Sequence, residues 1–504
     1  MRSAVSLGIL FLVTAAGLAL RMYRLVWQGA WYDEAYSMTL ANLSLHDMPA
    51  KLILEPGHPP LYSFVLHAVF QVAGFGDMQA RLVSVVFGTL TILTTYALAR
   101  YLYNASAGLM AAVLVAVSQL AVMYSQETRD YAMGLCLVSV ALYFYVKAMR
   151  EHNLSAWCVF VLTAILMVYT HYCAALTAAC LFAHGWLFRR RFAIPASWFL
   201  WGAFAIGVSY IPWLTSGVVY TILHNPISKP MSQPPWFAAH WYSIIQDLNR
   251  FNNGAIRGPL DPAPLGSYAF GLLFVFPALL ALRPLIDRGS GHAVETWSNR
   301  DSALLLTVVW LVPQLIMLVI AFWGIRFDVR YTLFCLVPYY ALVAGGLASL
   351  PRSVLRWSWL AVIVLYSALA LRAQYLDHYK EDYRGALQYL AGAERPGDCV
   401  IFMPLGELPL QWDVYERNKL PPHIIAPAAL DAESGRCGRI WLVKFSRVFT
   451  ASDQAQLKGV EQSLGAFFFN KTEERQYFWV DVALFAGPNV AADVDGEETA
   501  KKPQ

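Results

Sequence analysis

Two adjacent carboxylates, Asp33 and Glu34, lie in Trp31-Tyr32-Asp33-Glu34-Ala35-Tyr36, about a dozen residues after the apolar run Ser3–Leu20. A carboxylate held just above a bilayer can take a proton from a hydroxyl at that surface. On a helix, neighbours point about 100° apart, so one of the two at most faces a given reacting atom. The residues alone also allow a solvated acidic loop, with Asp33 as the N-cap of the helix that follows. The same loop ends in Glu55-Pro56-Gly57-His58-Pro59-Pro60, and a second charged group follows in Tyr124-Ser125-Gln126-Glu127-Thr128-Arg129-Asp130-Tyr131. Short outer turns usually avoid arginine. Arg129 therefore calls for a partner, either Glu127 or Asp130 in an ion pair or a phosphate, whose geometry a planar guanidinium matches. Arg81, Arg326 and Arg330 stand at comparable positions beside apolar runs. Four such arginines make a phosphate-binding surface a coherent expectation.

These groups must be held by membrane-spanning helices. The 504 residues are 58% apolar and 14% charged, against roughly 45–50% and about 25% in soluble domains. Apolar runs long enough to cross a hydrocarbon core, which takes about 20 residues, predict eleven spans: 3–20, 82–99, 105–122, 131–146, 154–170, 172–188, 194–220, 262–282, 302–322, 332–350 and 357–371. The first could be read as a signal peptide, but Arg21 and Arg24 follow it directly and further spans come after, which favours a helix. As one helix, the 35 residues of 154–188 would run about 52 Å, so a tight turn is expected at Tyr169-Thr170-His171-Tyr172.

The segment Pro60–Phe75 is apolar but short, and charge decides its reading. If it does not cross, one side of the membrane collects Arg2, Arg100, Lys147, Arg150, Arg189, Arg190, Arg191, Arg283, Arg288, Arg300, Arg352 and Arg356, as the positive-inside rule requires. The segment is then juxtamembrane or re-entrant, the N-terminus is cytoplasmic, and loops 21–81 and 221–261 and the tail from about 374 face outward. The net charge of +4 gives no reason to expect a nucleic-acid partner.

Past residue 374, short strand-like runs, Cys399–Met403, Arg439–Lys444 and Tyr477–Phe485, alternate with helix-like segments. That predicts a small α/β domain over 374–488, with a polar, disordered end over 489–504. Cys399 and Cys437 fall at strand starts in an outward compartment, where a disulfide can form. No metal-type spacing such as C-x-x-C or H-E-x-x-H occurs in the sequence. Trp236, Trp241 and Tyr242 in the second outer loop could stack on sugar rings or belong to an interfacial belt.

The order of Asp33-Glu34, His58-Pro59-Pro60-Leu61-Tyr62, Ala80-Arg81-Leu82, Tyr124 to Tyr131 and Tyr169-Thr170-His171-Tyr172 resembles the family 39 glycosyltransferases of the GT-C fold. This family includes protein O-mannosyltransferases and the aminoarabinose transferases that act on lipid A. The resemblance covers roughly residues 1–385. It implies a polytopic helical enzyme with its active site in the first outer loop, residues 21–81. Asp33 would be the catalytic base, Glu34 would support it, and His58, Arg81, Arg129 and Arg330 would line the donor pocket. No cofactor is required, although the Asp33-Glu34 pair could hold a divalent ion. After Leu61 this chain has Tyr62-Ser63 where protein O-mannosyltransferases continue with Gly-Lys, and it carries no inserted lectin-like domain. The expected acceptor is therefore a periplasmic glycolipid or polysaccharide rather than a protein, with a polyprenyl-phosphate sugar as donor and the inner membrane as location. The rival from another class is a transporter or flippase of lipid-linked saccharide, which would place coupling charges inside its helices.

Overall fold

The computed structural model describes residues 2–54, 58–224, 249–252, 264–286, 297–321, 328–403, 407–416, 422–445, 451–466 and 470–487. The expectations for Trp236, Trp241, Tyr242, Arg326 and the end 489–504 fall outside these residues. The chain divides into two compact units. The first comprises Met1–Leu25, Leu43–Gly74 and Met78–Asp377; the second comprises Val26–Asn42, Phe75–Asp77 and His378–Gln504.

The first ten helices in chain order are α1 (Arg2–Met22), α2 (Tyr32–Ala41), α3 (Met48–Leu54), α4 (Leu61–Ala73), α5 (Asp77–Leu102), α6 (Ala105–Val117), α7 (Gln119–Ser125), α8 (Tyr131–Glu151), α9 (Leu154–Val168) and α10 (Tyr172–Phe188). Among the described residues, seven helices are long and apolar enough to cross a membrane, or eight if the bent pair α6 and α7 is one span. The span at 131–146 lies within α8, and later ones fall in Ala196–Thr221, Asn299–Ile320, Val329–Ser349 and Ser353–Leu376. α9, α10 and the helix Gly271–Ala281 are apolar but shorter, so three of the eleven expected spans have helices below that length. α4 has 13 residues, about 20 Å at the rise of an α-helix and short of a hydrocarbon core.

Three boundaries depart from the hydropathy reading. α1 runs past Leu20 and takes in Arg21, which is fully buried. The expected helix over 105–122 breaks at Ser118 with a bend of 59°. Ser118 leaves helical geometry with ψ 116° and caps α7 by accepting from the Ala121 N–H. The break removes helical partners from the carbonyls before it, and Arg21 supplies replacements: Nη1 donates to Ala116 O at 3.3 Å and Nη2 to Val115 O at 3.2 Å. A charge inside the apolar layer is thus bound to backbone oxygens and to Ser125 Oγ. The third departure is α5, which begins at Asp77 and so carries Arg81 inside its second turn, buried.

The second unit contains a five-stranded sheet in the order β2-β1-β3-β5-β4, built from β1 (Asp398–Met403), β2 (His423–Ile424), β3 (Arg439–Phe445), β4 (Asn470–Tyr477) and β5 (Val480–Ala486). β1 is parallel to β2 and β3, whereas β5 is antiparallel to β3 and β4. The period of two along the strands sends Val400, Phe402, Trp441, Val443, Val482 and Leu484 to one core, with Leu387 and Leu390 of the helix Tyr383–Ala393. Ile401, Ile440, Leu442 and Phe485 go to the other core, with Leu430, Val460 and Leu464. Helices on both faces make this a layered α/β arrangement. The single strand expected at Tyr477–Phe485 is instead a hairpin, β4 and β5, turning at Phe478-Trp479 with Trp479 at φ 61°. β4 reads Asn-Lys-Thr-Glu-Glu-Arg-Gln-Tyr and is mostly exposed, so it carries little apolar signal. Cys399, the second residue of β1, and Cys437, two residues before β3, form a disulfide with Cα atoms 5.7 Å apart.

Candidate active site

In the first unit, the turns between helices bring His58, Arg129, Asp130 and His171 together. Leu61 N–H donates to Tyr169 O at 2.9 Å, which ties the start of α4 to the turn between α9 and α10. Ser84 Oγ of α5 donates to Arg129 O at 3.2 Å, which ties α5 to the turn before α8. His171 caps α10, its Nδ1 accepting from the Cys173 N–H at 3.0 Å. The His58 and His171 rings then lie edge to face at 5.6 Å, and Tyr131 and Phe334 pack against His171 at 5.5 and 5.0 Å.

The contacts assign the protons. Arg129 Nη2 donates to His58 Nε2, so His58 carries its proton on Nδ1 and donates it to Asp130 Oδ2 at 3.2 Å. Burial would raise the Asp130 carboxyl, but His58, His171 and Arg129 outweigh it and hold the group down at about 2. Burial pushes His171 down to about 4, with Asp130 opposing and the neighbouring cations assisting. At neutral pH Asp130 is ionised and His171 is neutral. Because His171 Nδ1 accepts, its proton sits on Nε2, which is buried with no hydrogen-bond partner among the described residues. That N–H is a donor awaiting an acceptor. Nearby, Asp328 caps the short helix Val329–Thr332 and pairs with Arg330 at 3.2 Å; burial would raise the Asp328 carboxyl, but Arg330 holds it below its usual range. Arg330 acts electrostatically on His171.

His58, Asp130 and His171 also offer ligand atoms within 4.8 Å of one another, a spacing that could hold a metal ion. Their hydrogen bonding fits a cation poorly. His171 would have to lose its Nε2 proton while Nδ1 still accepts from Cys173, and the Arg129 guanidinium already lies against His58. A buried N–H donor and two guanidinium groups fit a phosphate oxygen better.

The other expected residues distribute as follows. Arg81 Nη1 donates to Leu25 O at 2.7 Å, holding the end of the α1 segment. Asp33 and Glu34 belong to the second unit, in the first turn of α2. The N-cap of α2 is Trp31, so Asp33 does not take the capping position. The divergence of the two carboxylates holds: Asp33 is half-buried, whereas Glu34 is fully buried and accepts from Lys380 Nζ at 2.8 Å. Three residues were not singled out as site residues by the sequence: Asp130, His171 and Lys380. The first two lie inside the motifs that carried the resemblance, whereas Lys380 is 346 positions from Glu34 and leaves no local signal.

Residues 57–215 match the family described as dolichyl-phosphate-mannose-protein mannosyltransferase. No curated protein matches the sequence. The fold is similar to ArnT from Cupriavidus metallidurans bound to undecaprenyl phosphate, with a TM-score of 0.56, 13% identity, and coverage of 95% of this chain and 99% of that one. It is also similar to the Archaeoglobus fulgidus oligosaccharyltransferase tethered with an acceptor peptide, with a TM-score of 0.52, 14% identity, and coverage of 92% and 72%. The same archaeal enzyme in complex with zinc and sulfate aligns at a TM-score of 0.53 and 13% identity, covering 92% of this chain and 71% of that one.

Proposed function

We propose that this chain is a GT-C glycosyltransferase that uses a polyprenyl-phosphate sugar and glycosylates an acceptor hydroxyl with Asp33 as the general base, a reading supported by the mannosyltransferase family match over residues 57–215. Asp33 takes the proton of the acceptor hydroxyl, the oxygen attacks the anomeric carbon, and the new glycosidic bond forms as the bond to phosphate breaks. The polyprenyl phosphate leaves with the electron pair, and in-line attack inverts the anomeric centre. The leaving phosphate develops charge, which fixed donors stabilise. Arg129, Arg330, His58 and the Nε2–H of His171 are suited to that role, while Arg81 is engaged by Leu25 O.

The observation that carries the reading is the split of the carboxylate pair: Glu34 is fully buried in an ion pair, whereas Asp33 is half-buried. The guanidinium-rich cluster supports a reaction needing no metal. The acceptor we infer is a glycolipid or polysaccharide. Arginine and lysine asymmetry between loops supports a cytoplasmic N-terminus, with residues 21–81 as a catalytic loop and 374–488 as an outward domain in a bacterial inner membrane. A carrier for lipid-linked saccharide gains nothing from Arg21, since that intramembrane charge is engaged by backbone oxygens and Ser125.

The experiment is transfer of labelled sugar by the purified protein from a panel of polyprenyl-phosphate sugars to a membrane lipid and polysaccharide extract. Transfer from one donor, with inversion at the anomeric carbon, is expected. Movement of the intact donor across a vesicle membrane without transfer would replace this reading with the carrier.

A further inference from the structure

The helix that carries Asp33 has ten residues, too few to be stable alone in water. Its support comes from residues more than three hundred positions away within the same compact unit. Glu34 has no exposed surface and Lys380 has 4% side-chain exposure, and their ion pair is 2.8 Å long. Lys380 is itself fixed at its backbone: Gln28 Oε1 accepts from the N–H groups of Tyr379 and Lys380 at 2.9 and 3.0 Å. Arg384 donates to the carbonyls of Val26 and Trp27, at 2.7 to 3.1 Å. The Tyr415 hydroxyl accepts from the Ala30 N–H. At Gly29 a Cβ would come within 3.1 Å of the Tyr415 hydroxyl and 3.2 Å of Arg384 Cβ, so the chain passes close against these side chains. Ala35 and Met38 are fully buried on the same helix.

We propose that Lys380 is a positioning residue for transfer, acting through Glu34 on the orientation of Asp33, so that the C-terminal domain is part of the catalytic apparatus rather than an appendage. The proposal rests on Asp33 being the base. Glu34 and Asp33 share one helical turn, and the ion pair with the Lys380 ammonium fixes the rotation of that turn. Loss of the ammonium leaves a buried carboxylate, which draws water or re-orients the helix. A shift of about 1 Å at a reacting group costs on the order of 10²-fold in rate.

The test compares full-length wild type, Lys380→Met, Glu34→Gln with Lys380→Met, Asp33→Asn, and Asp33→Asn with Lys380→Met, all in the same detergent and matched for thermal stability. Lys380→Met is expected to lower kcat on the order of 10²-fold while KM for the donor stays within about threefold. The Glu34→Gln, Lys380→Met pair should recover most of kcat, because no lone buried charge remains. In the Asp33→Asn background, Lys380→Met should add no further loss, since the base it orients is gone. Wild-type kcat in Lys380→Met, or a full additional loss in the Asp33→Asn background, would overturn the positioning role. Should Lys380→Met fail to fold, Lys380→Arg and Glu34→Gln give the same kcat and KM comparison. Full activity of Asp33→Asn alone would instead remove the base assignment, a result separate from either outcome at Lys380.

Discussion

Replacing Arg21 by leucine tests how a charge inside the apolar layer is held. The side chain has no exposed surface, and it makes four hydrogen bonds: Nε to Ser125 Oγ at 3.1 Å, and the two terminal nitrogens to Gly17 O at 2.9 Å, Ala116 O at 3.3 Å and Val115 O at 3.2 Å. Gly17 O lies within α1 and keeps its helical environment. Val115 O and Ala116 O lie just before the break at Ser118 and lose their replacement donors. An unsatisfied buried polar group costs about 1–3 kcal/mol, so the two carbonyls sum to roughly 2–6 kcal/mol, while the Ser125 hydroxyl still donates to Ala121 O at 2.6 Å. Removal of a costly intramembrane charge, about 3 kcal/mol at a helix centre on insertion scales, offsets part of this. The expected net is a loss of about 2–4 kcal/mol. The assay is thermal unfolding in detergent, together with the transfer rate. The rate should fall too, because Gln126 Nε2 donates to the carbonyls of Arg21 and Tyr23 at 2.9 and 2.8 Å and so ties this site to the turn carrying Arg129 and Asp130. Arg21→Lys should lie between, since one ammonium cannot span the fork. An unchanged midpoint and unchanged rate in Arg21→Leu would refute the reasoning.

Acid should weaken the first unit through His171 and Asp130. His171 is lowered from 6.5 to about 4 by burial, so the unfolded chain takes up its proton first and stability is lost as pH falls from about 6.5 to 4; Asp130, lowered from 3.8 to about 2, adds loss below 3.8. The His171 share is on the order of 3 kcal/mol as an upper value, and His171→Gln should flatten the pH dependence of the unfolding midpoint between pH 6 and 4. Reduction of the Cys399–Cys437 disulfide, which closes a separation of 38 residues, should destabilise the second unit by roughly 2–4 kcal/mol. Limited proteolysis with and without reductant would show it, and equal cleavage rates would count against it.

Hydropathy alone placed seven spans among the described residues, or eight with the bent pair as one, because a continuous apolar run has few other fates, while three further expected spans are shorter helices; it also drew attention to the carboxylates and arginines between the runs because charge is scarce elsewhere. Helix geometry gave the divergence of Asp33 and Glu34, though not which of the two is buried. The break at Ser118 was hidden, since the sequence stays apolar through it and the cause lies in the Ser118 cap and in Arg21 from another helix. Arg21 itself read as a boundary residue, because a charge in the layer is recognisable only once its carbonyl partners are known. β4 was missed because an exposed edge strand of polar residues has no buried face to betray it. Lys380 was out of reach for the same reason that makes it informative: its partner is defined by tertiary packing and by nothing nearby in the chain.

The most direct test of the account is the rate of sugar transfer by Asp33→Asn against wild type, at saturating donor and with matched unfolding midpoints. Loss of a general base should lower kcat by at least about 10²-fold, with donor binding retained because the groups proposed to hold the phosphate are intact. An Asp33→Asn enzyme within a few-fold of wild type would contradict the central claim and move the proton transfer to another group.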